Sequence, residues 1–183
     1  MALSRTGKAY SWGDGSSGQL GSGTYTKQVK PTEISIPKIL GETPFITKIS
    51  SGLKHSGFIT KDGQVLLSGC NKDGQLGLGN NISTSRLTLN NYLFDKTDNI
   101  ACGTAHTLVL SSHNNKLQSF GKNDCGQLGC EVRKESNIPI AVGTYMHDKK
   151  IKKIVAGDYS GYLDESGKLY LWGMGRGEVF SPQ

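Results

Sequence analysis

The sequence predicts an all-β fold, a partial β-propeller of four-stranded antiparallel blades, with residues 1–183 forming a single repeat array. Three observations carry this. The tetrapeptide G-Q-L-G begins at Gly18, Gly74 and Gly126, spaced 56 and then 52 residues apart, and self-similarity at that period marks solenoids, propellers or arrays. Five residues ahead of each stands another glycine, Gly13, Gly69 or Gly121, and Gly173 continues the series. Each of these four glycines closes a short apolar run that is too short for a helix.

The strands follow from those runs. Ala9–Trp12, Val65–Leu67, Leu117–Phe120 and Leu169–Trp172 lead into the four glycines, and two of the copies read Trp-Gly. A turn pair precedes each run: Thr6-Gly7, Asp62-Gly63, Asn114-Asn115 and Ser166-Gly167. Such pairs supply the left-handed positions of two-residue hairpins. Ahead of the turns lie Phe58–Thr60, Leu108–Leu110 and Tyr162-Leu163, giving a second strand. Ile46 with Ile49, Ile151 with Ile154, and Ile100 in the middle copy mark another. Thr32–Ile36 and Asn137–Ile140 are candidates for a fourth, outer strand, where Pro139 is tolerated at an edge. Four antiparallel strands repeated radially make a propeller blade.

The repeat units run approximately over 7–62, 63–114 and 115–166, with a partial unit at 167–183. The repeat glycines Gly13, Gly18, Gly21, Gly69, Gly74, Gly77, Gly121, Gly126, Gly129 and Gly173 read as backbone devices. Two residues after each strand-ending glycine stand Gly15, Asn71, Asn123 and Gly175. Gly and Asn enter the left-handed region most cheaply, so these four positions are expected at positive φ.

With Trp-Gly after a strand, G-Q-L-G five residues on, and Gly52–His55 and Gly103–His106 before the next hairpin, the chain resembles the regulator of chromosome condensation repeat family. The likeness runs from the first residues to about Gly177. It implies a seven-bladed propeller, of which about three and a half units are present. That leaves two readings: a fragment of a longer propeller, or an open arc that pairs with another chain. It also implies a protein-interaction module that acts as a guanine nucleotide exchange factor for a small Ran-type GTPase on chromatin. Exchange of that kind works by differential binding and needs no covalent chemistry. The alternative is a non-catalytic scaffold or regulatory domain of a larger protein such as a ubiquitin ligase or a kinase.

Composition narrows the classes further. No stretch is long and apolar enough to cross a membrane as a helix. The four cysteines, Cys70, Cys102, Cys125 and Cys130, recur at no shared spacing, which suits a reducing compartment, cytosol or nucleus. Cys125 and Cys130 lack a second ligand pair, so no metal site is expected. Net charge is +6, with one cluster at Lys149, Lys150, Lys152 and Lys153. That cluster is a candidate patch for an acidic protein or for nucleic acid. The simpler reading makes Lys152 and Lys153 the solvent side of a strand whose Ile151 and Ile154 face the core.

Catalytic patterns dissolve into the repeat. Gly13–Gly18 matches G-x-G-x-x-G, but Gln19–Gly23 cannot continue as the helix that a dinucleotide site requires. The other copies keep only the outer glycines, so no cofactor is expected. His55 and His106 occupy equivalent places, with Ser160 in the third copy, and no repeated carboxylate or nucleophile accompanies them. They read as structural, and the chain as no enzyme in its own right. Because the array opens and closes within a unit, its free edges are expected to drive self-association.

Overall fold

Each turn pair places its second residue in the left-handed region: Gly7 at φ 76°, Gly63 at 82°, Asn115 at 54° and Gly167 at 87°. The loops are longer than the two residues that the sequence suggested. Gly63 N bonds Thr60 O at 3.0 Å while Thr60 N bonds Gln64 O at 2.9 Å, leaving Lys61-Asp62-Gly63 as a three-residue loop. Gly7 and Gly167 close their loops in the same way. This is a turn followed by a left-handed bulge residue, whose twist also matches a hairpin.

The computed structural model describes residues 1–131, 134–143 and 150–173. Its fourteen strands form four antiparallel sheets, and no described residue is helical. Blade one holds β1 (Ala2–Leu3), β2 (Ala9–Gly13) and β3 (Gln28–Glu33). Blade two is β4 (Ile46–Ser51), β5 (His55–Thr60), β6 (Val65–Gly69) and β7 (Thr84–Leu89), in that order across the sheet. Blade three repeats it with β8 (Asn99–Cys102), β9 (His106–Ser111), β10 (Lys116–Gly121) and β11 (Ser136–Ala141). Blade four contains β12 (Ile151–Ala156), β13 (Tyr159–Asp164) and β14 (Leu169–Gly173). The outer strand begins earlier than expected in blade one, at Gln28, and takes in Pro31. In blade three it takes in Pro139.

Equivalent positions follow from register. Ser68, Phe120 and Trp172 stand one residue before the strand-ending glycines, as Trp12 does in blade one. Pairing with the outer strand slips there in blades one, two and three, between Ser11 and Gly13, Leu67 and Gly69, and Ser119 and Gly121. A bulge of this kind re-aims a side chain. Phe120 is thereby turned toward the blade before it and buried, and Trp172 is likewise buried against blade three.

The cores lie between sheets. Ala9 and Ile34 of blade one meet Ile46, Phe58, Leu66 and Leu87 of blade two. Ile59, Val65, Leu67 and Leu76 of blade two meet Ile100, Cys102, Val109 and Phe120 of blade three. Leu108, Leu110 and Leu117 meet Ile154, Tyr162, Tyr170 and Trp172 of blade four. Every blade therefore has a forward face toward its successor and a backward face toward its predecessor. Such stacks are stabilised by nearest-neighbour contacts.

Candidate interaction surface

The G-Q-L-G loop belongs to one blade and seats on the next. A side chain at Gly74, which lies at φ 79°, would strike Asn137 Cα at 2.6 Å and Ser136 O at 2.8 Å, both on β11 of the following blade. Two residues beyond each of the first two motifs comes one more glycine. Gly23 N bonds Ser85 O and Gly79 N bonds Asn137 O, each at 2.8 Å. Sequence reading missed this G-Q-L-G-x-G extension; its signal was present in the first two copies, and Glu131 breaks it in the third.

The motif's carbonyls are sockets for the neighbouring blade. Ser56 Oγ donates to Gln19 O, Thr107 Oγ1 to Gln75 O and Ser160 Oγ to Gln127 O, at 2.6–2.8 Å. The hydroxyl that does this then receives a histidine: His55 Nε2 lies 2.8 Å from Thr107 Oγ1, and His106 Nε2 lies 2.7 Å from Ser160 Oγ. Thr107 has one hydroxyl hydrogen and gives it to a carbonyl, so His55 must hold its proton on Nε2. The same logic fixes His106. Burial holds both rings neutral, pushing His55 down to about 3, helped by neighbouring His106, and His106 to about 4. His55 Nδ1 is buried with no hydrogen-bond partner.

Two expectations need correction. Asn71, Asn123 and Gly15 are not at positive φ; the left-handed residues are the strand-ending glycines at 104–118° and the first and last glycines of G-Q-L-G. Asparagine serves there through its side chain. Asn71 Oδ1 accepts from Leu76 N and its Nδ2 donates to Asn80 O, and Asn123 Oδ1 accepts from Leu128 N. Gly15 stands where Thr26 O leaves no room for a Cβ. Gly175 lies outside the described residues. The second correction concerns Ser160, which is the hydroxyl equivalent to Ser56 and Thr107. Tyr159, paired with Gly173 as His55 is with Gly69 and His106 with Gly121, fills the histidine slot. The loop after Gly157 is one residue shorter, which hid this. The recurring hydroxyl after the histidine was the signal that could have found it.

The loop at Asp14 is a turn, with Asp14 accepting from Ser16 N at 3.1 Å and Gln19 Nε2 at 3.1 Å, and no helix follows it. No group of three or more metal-ligating side chains comes together among the described residues. Of the lysine cluster, Lys150 pairs with Glu165 at 3.1 Å, Lys152 and Lys153 are exposed on β12, and Lys149 lies outside the described residues.

The loops of the array form two rims. One carries the β4–β5, β8–β9 and β12–β13 loops with the G-Q-L-G loops: Leu53, Tyr159, and Thr104, which bonds Asp158 at 2.6 Å. The opposite rim carries the crossings between blades. There Ile39 and Glu42 bridge a tight hairpin whose tip, Leu40 and Gly41, lies at φ 51° and 88°. Leu40 is wholly exposed at that tip, with Phe45 beside it and Phe94 and Tyr92 on the next crossing. An open hollow of about 670 Å³ lies between the hairpin, Pro44, Phe45 and Lys61.

Residues 6–59 and 62–110 match the family described as the regulator of chromosome condensation (RCC1) repeat, and residues 98–127 match a second pattern of the same description. The human X-linked retinitis pigmentosa GTPase regulator is 35% identical over 127 residues, which is 68% of this chain and 12% of that protein. The human probable E3 ubiquitin-protein ligase HERC6 is 32% identical over 182 residues, covering 96% and 17%. The solved structure of Prp20p from Saccharomyces cerevisiae superposes with a TM-score of 0.75 at 20% identity, covering 85% of this chain and 39% of that one, a likeness of fold. The chain thus spans well under half the length of each.

Proposed function

Because the chain belongs to the RCC1 repeat family, we propose that it serves as a protein-interaction module that docks through the rim bearing Leu40, Phe45, Tyr92 and Phe94, and that its partner is a small GTPase of the Ran type whose nucleotide it helps release. The observation carrying this reading is the split between buried and exposed chemistry. The repeated His55, His106, Thr107 and Ser160 are consumed in joining blades, whereas large apolar side chains stand in water on the loops that cross between them. Exposed aromatic and aliphatic anchors are what protein interfaces use. Prp20p has been studied for its binding to Gsp1p and histones, and another relative is named a GTPase regulator. Exchange would require only that the rim bind the nucleotide-free GTPase more tightly than the loaded one.

The repeat glycines then serve as frame, and Lys152 and Lys153 as a secondary contact for acidic protein or chromatin. Action within the nucleus or cytoplasm fits such partners. A second reading is a scaffold within a larger protein, supported by the 17% share of a ubiquitin ligase that this chain spans. Release of labelled GDP from a panel of small GTPases separates the two. Acceleration for one member, lost in Leu40→Asp and Phe94→Asp, supports exchange. Binding without acceleration supports the scaffold, and no binding to any GTPase sinks the first reading.

A further inference from the structure

We infer that the inner strands of the array form a basic lining that takes an extended acidic peptide segment of a partner protein, an inference that rests on the interaction-module reading and deepens it. β4, β8 and β12 each stand at an end of their sheet, and β8 packs against both of the others, which makes these the inner strands. Together they carry Lys48, Lys152 and Lys153 and no carboxylate. Asp98, next to β8 in sequence, is engaged within its own blade, accepting from Ser112 N at 2.7 Å and from Ser112 Oγ at 2.6 Å. None of the three lysines enters an ion pair among the described residues.

Lys48 fixes where these side chains go. Blades one and three both pack on its blade, and it is exposed all the same. It pairs with Ile59, a residue of the core shared with blade three, so it leaves β4 on the forward side. Ser50, two residues on and therefore on the same side, accepts from Cys102 N of β8 at 2.9 Å. Lys48 thus lies over the inner edge of the following blade. Lys153 pairs with Leu163 beside the same bulge and holds that slot in blade four. Lys152 is the bulge residue, as Thr47 is in blade two, and Thr47 is likewise exposed. Asn99 takes the Lys48 slot in blade three and brings no opposing charge.

The occupant follows from charge and chemistry. Lysines unopposed by carboxylates call for an anionic chain. β4, β8 and β12 contain no aromatic residue, so the lining lacks the platforms on which the bases of a single strand stack. A polypeptide needs none. Its carboxylates meet the lysines, and its main chain can bond backbone groups along the sheet edges, as Ser50 already does at Cys102 N. β4 opens directly after Phe45 of the apolar rim. A partner seated on that rim can therefore lay an acidic segment inward along the lysines.

The test follows the fluorescence anisotropy of a labelled oligoglutamate peptide titrated with the whole chain, at low and at physiological salt. The parent is expected to bind, and more weakly as salt rises. Lys48→Gln, Lys152→Gln and Lys153→Gln combined should weaken binding about tenfold, the loss of three exposed charge contacts. Lys30→Gln, Lys54→Gln and Lys72→Gln combined remove the same charge from exposed positions on an outer strand and on the opposite rim, and should bind as the parent does. Circular dichroism melts establish that both variants fold. No binding by the parent at low salt overturns the proposal. So does an equal loss in both variants, which would mean attraction by net charge alone. Labelled oligothymidylate binding the parent more tightly than oligoglutamate does would assign the lining to nucleic acid and overturn it as well. The probe contains no GTPase, so failure here leaves the GDP-release result standing, and failure there leaves this one.

Discussion

The junction between blades two and three and the junction between blades three and four use one backbone plan with different side chains. On the forward face of blade two, glycine opposes leucine, Gly57 with Leu67; on blade three, leucine opposes serine, Leu108 with Ser119. The large and small members have changed strands. The opposing surfaces change to suit, from Ile100, Val109 and Phe120 to Ile154, Tyr162 and Trp172, with Tyr162 stacked on Tyr170 at 4.5 Å. The polar bookkeeping shifts as well. The carbonyl of the motif's leucine is taken by Ser119 Oγ at Leu128, and by Asn90 Nδ2 at Leu76, where Leu67 has displaced the serine. What a junction conserves is therefore filled volume and satisfied carbonyls, not residue identity at a position.

That comparison breaks first at its largest side chain. Trp172→Ala should cost about 3–5 kcal/mol, as buried aromatic truncations do. Trp12→Ala, in the equivalent slot of blade one, should cost a small fraction of that. Urea titrations of both variants decide it, and equal losses would mean that the slots are not equivalent.

Acid should act on both junctions through the histidines. A histidine whose folded pKa lies below its unfolded value of about 6.5 is protonated first in the unfolded chain. Stability is thus complete above about pH 7 and falls as pH drops toward 4. At about 1.36 kcal/mol per pH unit, each of His55 and His106 should remove about 2 kcal/mol by pH 5. Denaturation midpoints against pH should show that slope, halved in His106→Gln.

The volume exchange is tested by moving blade three's pair into blade two. Gly57→Leu alone should cost about 1–3 kcal/mol by collision with Ile100. Adding Leu67→Ser should recover about 1 kcal/mol of it, and no recovery would refute the exchange. Gly74→Ala and Gly126→Ala share a left-handed backbone at φ 79° and 78°, but no described atom lies within 4 Å of a Cβ at Gly126. Gly74→Ala should therefore be the worse by about 1–2 kcal/mol, the part owed to Asn137 of the next blade. Asn90→Ala and Ser119→Ala should each cost about 1–2 kcal/mol, because each orphans the same kind of buried carbonyl. Thermal melts should rank the two alike.

The strands and their antiparallel hairpins were legible in the sequence because glycine and turn chemistry repeat at fixed offsets and depend on local backbone alone. Asn71 and Asn123 misled because asparagine has two uses, a left-handed backbone or a side chain that bonds loop amides, and residue type does not distinguish them. The pairing of His55 with Thr107 was not legible either. It joins residues 52 apart across a junction, and only the spatial neighbour shows that a histidine is fixed by the next repeat's hydroxyl. The apolar rim at Leu40 was hidden differently. Its hairpin accompanies the longer first spacing, and the repeat pattern says nothing about the residues it adds.

The seating of each G-Q-L-G loop on the following blade has a consequence for how the chain comes apart. A blade's own loop is held shut by its successor, so loss of one blade releases the loop of the blade before it. Damage should travel toward the N-terminus, one sheet unlatching the previous, while the blades beyond the break keep their own latches. A protease entering at one junction would therefore leave a ladder of fragments with a bias in direction, and the same asymmetry means that duplicating one unit creates no new kind of contact for the array to solve.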